Sequence, residues 1–265
     1  MDRPVIRFAV FALLSAFGAC QRRAAPQPPS AQDIARLTQV ATESLTISYN
    51  PVSRRPSFVR GSIPLPSVGV QAGDTSAASV VSALMGRYAR LFGVDSAAPG
   101  LQLVESRADR LGMRHVVMQQ KVDNVPVYNA IYAVHVDPRN NSVVALTSSL
   151  VPEIRVNTTT PKISEDSARA VARAYLIGGQ ASPPRLMVYS RRDQGSRARL
   201  AWIVEVSGLA LRDTIGGGAA AVDTIPARRD VVIDATEGKS LDVIDRLYEA
   251  RNRRVHDAAG TTTLP

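Results

Sequence analysis

The chain has 265 residues, enough for one large domain or two small ones with a real hydrophobic core. Its 45% hydrophobic and 21% charged residues are ordinary for a globular protein, and with only 5% aromatics the core falls to Val, Ile, Leu and Ala. The formal charge is +9, but apart from Arg191-Arg192 and residues 251–254 the arginines are scattered, with no basic helix or aromatic-interleaved basic face; the charge therefore reads as a solvated surface, and nucleic acid is not an expected partner.

Arg3 and Arg7 precede an apolar run over residues 8–17, followed by Gly18 and Ala19. This is the plan of a bacterial secretory signal peptide over residues 1–20, too short to span a membrane as a helix. The lone cysteine, Cys20, stands at its end. Phe17-Gly18-Ala19-Cys20 resembles a lipobox, which makes Cys20 a lipidation site, although Leu is usual in place of Phe17 and Ala or Ser in place of Gly18. Ordinary signal cleavage nearby, with Cys20 incidental, is the alternative. Both readings send the chain out of the cytoplasm, to secretion or the cell envelope, with a lipid anchor at Cys20 as its one expected link to a membrane.

Residues 21–35 begin Pro- and Ala-rich, without a hydrophobic period, and read as a flexible linker. Residues 44–49 alternate into the Asn50-Pro51 turn signal, and residues 57–60 lead into Gly61, so a short hairpin is expected. Over residues 79–92 the period becomes helical, with Val80, Leu84, Tyr88 and Leu91 on one stripe and Gly93 as the stop. Three strands follow, 113–122, 125–136 and 142–149, separated by the Asp123-Asn124 turn and the turn 137–141. After a polar linker at 157–161, Ser164 caps a second helix with the stripe Ala168, Val171, Ala172, Tyr175 and Leu176, ended by Gly178-Gly179. Strands are then expected at 186–190, 200–207, 230–234 and 240–247, with a mobile loop at 216–221. The pattern of a helix followed by strands, twice over, predicts an α+β fold of two helix-plus-antiparallel-sheet units, 36–157 and 158–265.

Catalytic patterns are missing. His115, His135 and His256 are not set in H-E-x-x-H, the helical spacing that lets two imidazoles share a zinc beside a general-base Glu. His115 and His135 lie in predicted strands opposite the apolar face, where a structural or surface role outweighs metal ligation. Cys20 in the leader leaves no catalytic thiol, no G-x-S-x-G elbow is present, and Gly216-Gly217-Gly218 lacks the G-K-[ST] of a phosphate loop. Asp242 and Asp245 point to opposite faces of a strand and read as surface residues. No catalytic residue, metal ligand or cofactor of this chain's own is expected.

One motif stands out. Gly112-Met113-Arg114-His115-Val116-Val117-Met118-Gln119-Gln120 followed by Val125-Pro126-Val127-Tyr128-Asn129-Ala130 resembles the fungalysin/thermolysin propeptide motif, with Asn124 where the family often has Gly. Residues 135–144 are similar to its next strand pair, and residues 45–50 and 56–61 to the start of such pro-regions. Residues 164–175, 200–206 and 231–238 are similar to a PepSY domain. Arg253-Arg254-Val255-His256-Asp257 and the stretch to Pro265 are similar to the junction before the catalytic domain, which follows in the family. The resemblance implies a secreted pro-region that inhibits a thermolysin-like zinc metalloprotease and assists its folding, in cis or in trans, with zinc only in the partner's catalytic domain. It makes Gln119, Gln120, Val125, Pro126, Val127 and Tyr128 the motif residues. Position makes Arg253, Arg254, Val255, His256 and Asp257 the protease-contact candidates, with a disordered tail as the alternative. Three other readings stay open: the front part of a full-length metalloendopeptidase precursor, a free-standing envelope lipoprotein that inhibits peptidases in trans, and an Arg-rich adaptor for an anionic envelope polymer.

Overall fold

The computed structural model describes residues 31–70, 76–94, 100–152, 154–191, 198–211 and 224–246. The leader with Cys20, the glycine-rich loop 216–221 and the contact candidates Arg253–Asp257 lie outside the described residues. The helices are α1 (Ala31–Val40), α2 (Ala77–Tyr88) and α3 (Glu165–Arg173). The strands are β1 (Thr46–Tyr49), β2 (Pro56–Pro64), β3 (Leu101–Ala108), β4 (Arg114–Val122), β5 (Val125–Asp137), β6 (Ser142–Ser148), β7 (Ile177–Ala181), β8 (Arg185–Tyr189), β9 (Arg199–Leu211), β10 (Thr224–Asp234) and β11 (Ser240–Asp245).

In the first unit α2 lies on a twisted antiparallel sheet ordered β1-β2-β6-β5-β4-β3. Ser76 caps the helix by accepting from the Ser79 amide at 3.3 Å, satisfying one of the free first-turn donors. Its apolar stripe of Val80, Leu84 and Tyr88 meets Val59 and Ile63 of β2, Val116 of β4, Tyr132, Val134 and Val136 of β5, and Val143 and Leu146 of β6. The helix tightens into a 3-10 turn at Ala89–Phe92, which drives Leu91 and Phe92 into the core and sets Phe92 edge-on to Tyr132, ring centroids 5.3 Å apart. Each of these fully buried side chains contributes about 1.5–3 kcal/mol by leaving water. Gly93 ends the turn at φ +74°, where a Cβ would come within 2.7 Å of Pro152 Cβ.

The β4–β5 turn follows its dipeptide. Asp123 and Asn124 have φ of 46° and 68°, both left-handed, the geometry that a two-residue hairpin needs and Asn tolerates. Asn124 meets this geometry without a glycine.

In the second unit α3 covers a sheet ordered β8-β9-β10-β11, with β7 also paired to β9. Ala168, Ala172 and Leu176 pack on Trp202, Val204 and Val206 of β9 and Val231 and Ile233 of β10. The indole N–H of Trp202 donates to the Ile163 carbonyl at 2.8 Å, pinning the entry to the helix. Among the described residues the sheets meet at one parallel pair, Val127 of β5 with Val188 of β8, and all other strand pairs are antiparallel. The fold is α+β.

Several elements differ from the expectation. Helix α1 begins inside the stretch read as a linker, and its buried Leu37 joins the first core. Strand β3 is exposed along nearly its whole length, so no alternation marked it. Helix α3 stops at Arg173, and Val171 of its expected stripe is 36% exposed. Gly178 and Gly179 belong to β7 rather than ending the helix. The chain folds back so closely that a Cβ on Gly179 would sit 2.4 Å from the Arg173 carbonyl oxygen.

Candidate functional site: the joint between the units

The two glutamines that end β4 organise the junction. Along most of β4 the pairing with β5 is regular, ending at Gln119 opposite Ile131; beyond it the next pairs are Lys121 with Pro126 and Val122 with Val125. Residues 127–130 therefore bulge out opposite Gln120, and Asn129 takes a left-handed φ of 54° to allow it. The Gln119 amide nitrogen lies inside this bulge, 2.7 Å from the Val127 oxygen, 2.9 Å from that of Ala130 and 3.0 Å from that of Gln120. Gln120 points the other way and is buried. Its Oε1 accepts from the Val151 amide at 2.8 Å and its Nε2 donates to the Val151 carbonyl at 3.0 Å. A primary amide carries donor and acceptor on one planar group, so it closes both backbone groups of Val151 at once. Ser149 completes the frame, donating to the Asn129 carbonyl at 2.6 Å and accepting from the Ile131 amide at 2.9 Å.

The bulge turns Val127 and Tyr128 toward the second unit. Val127 is buried against Ala130 and Val188, flanked by Val122, Val125, Val151 and Ile154. Tyr128 crosses onto the sheet face that α3 leaves uncovered, beside Met187, Tyr189, Ala201, Ile203 and Val232. Its hydroxyl donates to Asp230 Oδ2 at 2.9 Å, and Arg246 bonds the same oxygen. Asp230 is fully buried, and its Oδ1 has no hydrogen-bond partner among the described residues. Burial, then the hydrogen bond to Asp230, holds the Tyr128 phenol above its ordinary value, so it stays a donor. The Asp230 hydrogen bond raises the Arg246 guanidinium in turn. The Tyr189 ring lies 5.7 Å from that of Tyr128 and its hydroxyl donates to Asp242; burial and that carboxylate push the Tyr189 phenol far up.

Gln119, Gln120, Val125, Val127 and Tyr128 thus meet at one joint, while Pro126 pairs with Lys121 in the β4–β5 ladder. Asp242, read as a surface residue, is a partly buried acceptor there, because Tyr189 reaches it across the sheet. Asp245 is exposed and pairs with Arg229 at 2.7 Å. Asp230 and Arg246 gave no local signal: Tyr128 and Asp230 lie 102 residues apart. Beside the joint is an open depression of about 720 Å³ lined by Ser182, Pro183, Arg185, Glu205, Arg228 and Arg246. Its charge is partly compensated internally, Arg228 bonding Glu205 at 2.6 Å. His115 and His135 lie opposite the core, as their strand positions imply, and their rings touch. No group of three or more His, Cys, Asp or Glu converges to hold a metal among the described residues.

Comparison with known proteins gives this joint a context. The Fungalysin/Thermolysin Propeptide Motif matches residues 100–150. The chain is 25% identical over 228 residues to thermolysin of Alicyclobacillus acidocaldarius subsp. acidocaldarius, covering 82% of this chain and 37% of that protein. It is 24% identical over 232 residues to the thermostable neutral protease NprT of Geobacillus stearothermophilus, covering 83% and 38%. The chain therefore spans less than two fifths of the length of the curated relatives it matches. Among solved structures, the YpeB C-terminal domain of Bacillus megaterium overlaps 84% of this chain and 100% of that one at 13% identity and a TM-score of 0.32. With β3 to β6, both glutamines and the bulge inside the matched span, the chain carries the propeptide motif of thermolysin-like proteases and is related to these enzymes over most of its own length.

Proposed function

We propose that this chain is the pro-region of a secreted thermolysin-like zinc metalloprotease, inhibiting the catalytic domain and assisting its folding without catalysis of its own. The observation that carries the reading is the use made of the motif. Gln119 Nε2 and both ends of the Gln120 amide satisfy backbone groups around the bulge at 127–130, and the bulge sends Val127 and Tyr128 into contact with the second unit. A locked two-unit body presents a fixed template, and a preformed surface loses less entropy on docking than a mobile one. A standard interface needs on the order of 1,600 Å² in total.

In this reading the second unit is a PepSY-like domain and zinc belongs to the catalytic domain. The junction residues Arg253, Arg254, Val255, His256 and Asp257 approach the protease cleft. The leader over residues 1–20 exports the chain, and Cys20 carries an acyl group if the protein is kept at the envelope. The same surfaces serve whether the protease follows in cis or is met in trans. The test is refolding: denatured thermolysin catalytic domain is diluted with zinc and calcium, with and without an equimolar amount of this chain. Faster or fuller recovery of folded enzyme, measured after the chain is removed, supports the reading. Equal recovery at all ratios refutes the folding role.

A further inference from the structure

Away from the joint, at the other end of β4 and β5, His115 and His135 are direct cross-strand partners. Their rings stand edge-on at 77°, centroids 4.9 Å apart, with the two Nδ1 atoms 2.6 Å from each other. At that distance two lone pairs repel and two N–H groups collide, so the contact requires a single hydrogen between the rings. The other nitrogen of His115, Nε2, lies 2.9 Å from Asp109 Oδ2. A carboxylate only accepts, so His115 carries its hydrogen on Nε2. Asp109 is itself held by the backbone, its Oδ1 accepting from the Leu111 amide at 2.8 Å and the Met113 amide at 3.0 Å. A neutral His115 then offers a bare Nδ1, and His135 supplies the shared Nδ1–H.

Proton bookkeeping follows from this arrangement. One added proton is accommodated: it takes the free Nε2 of His135 and the ring-to-ring bond survives. A second proton has only His115 Nδ1 to occupy, which puts two N–H groups head to head. The surroundings weigh against the second cation. Arg107 of β3 is the cross-strand neighbour of His115, and Glu105, 2.5 Å from it, offsets that charge only in part. Arg139 and its partner Asp137 stand at the β5–β6 turn, where Arg139 also feels Asp109. From β6 the neighbour of His135 is the uncharged Ala145. Among the described residues Asp109 is the carboxylate bonded to the pair. Burial holds His135 below the ordinary imidazole value, and His115 and Arg107 push in the same direction.

We propose that His115 and His135 form a proton-operated latch, which fastens the end of the β3–β4 hairpin to β5 at neutral pH and frees it in acid. The backbone ladder already pairs Arg114 with Val136 and His115 with His135, and the latch adds a side-chain tie at this end. Among the described residues strand β3 pairs only with β4, and it is exposed along nearly its length. Its turn is closed locally, by the Asp109 amide donating to the Met113 carbonyl at 2.9 Å, and is tied toward β5 through the Asp109–His115–His135 chain. The inference is independent of the pro-region reading.

The test is amide hydrogen exchange of residues 105–117 in the full chain from pH 7.5 to 5.5, corrected for the intrinsic exchange rate. Opening frees two histidines of unfolded value ~6.5 where the folded pair holds at most one proton, so opening rises at least about tenfold across this range. His135→Gln, neutral at every pH and still a donor, abolishes the slope, and His115→Gln does the same through the other ring. Histidine side-chain NMR follows the rings directly. A wild-type change under twofold overturns the latch, as does the same slope in both variants. So does a folded state in which both rings are imidazolium with their contact unbroken.

Discussion

Gln120→Glu is the sharpest probe of the joint, because it changes one group from amide to carboxyl at constant shape. Gln120 is buried and spends both ends of its amide on Val151. Protonated glutamic acid keeps an acceptor and an O–H donor, so below pH ~4 the variant approaches the wild type in stability. Ionised glutamate still accepts from the Val151 amide but no longer donates to the Val151 carbonyl, and a charge is left in a dry site. An unpaired buried carbonyl costs about 1–3 kcal/mol, and with the desolvated charge the deficit at pH 7 is about 3 kcal/mol. By linkage that corresponds to a folded-state pKa raised by roughly two units from the unfolded ~4.3. The sign follows from the raised value: the folded variant binds the proton more tightly than the unfolded chain, so its stability relative to wild type is highest in acid. That stability falls between pH ~4.3 and ~6.5, by about 1.4 kcal/mol per pH unit, and is then constant. Urea unfolding followed by far-UV circular dichroism, wild type against variant at each pH, measures this difference. A deficit below about 0.5 kcal/mol at pH 7, or one that does not change with pH, refutes the two-point clip.

Tyr128→Phe removes a hydroxyl bonded to the buried Asp230 carboxylate, and urea unfolding should show a loss of about 1.5–3 kcal/mol, the range for hydrogen bonds to charged groups. Tyr132→Phe is the contrasting case: the Tyr132 hydroxyl is fully buried with no partner among the described residues, so its removal leaves stability unchanged or raises it by up to about 1 kcal/mol. Ser164→Ala deletes the acceptor of the Ser167 amide at the start of α3 and is expected to cost about 1 kcal/mol in the same assay.

Much of the fold was legible because burial is one-sided. The α2 stripe and the alternation in β4 to β6 each have one face on the core, and the Asp123-Asn124 turn announces its left-handed pair. Strand β3 was illegible because it presents almost everything to solvent, so nothing in its sequence is periodic. Gly178 and Gly179 were misread because glycine serves helix ends and close backbone approaches alike, and here the 2.4 Å approach to Arg173 decides. The motif itself was readable as a resemblance, but what it builds was not. Gln120 closes on Val151 and Tyr128 on Asp230, contacts that no local period encodes. The histidines were placed correctly on the face away from the core, yet their meeting depended on the β4–β5 register, which sets His115 opposite His135.

The proposed pro-region role requires this body to block a thermolysin-like active site. The measurement is a titration of the purified chain from Ala25 to Pro265 into mature thermolysin, with peptide hydrolysis and protein-bound zinc followed together. The expected result is dose-dependent loss of hydrolysis while zinc stays bound, with a saturating one-to-one complex. Hydrolysis that is unchanged at saturating chain, or lost only in step with zinc, contradicts it.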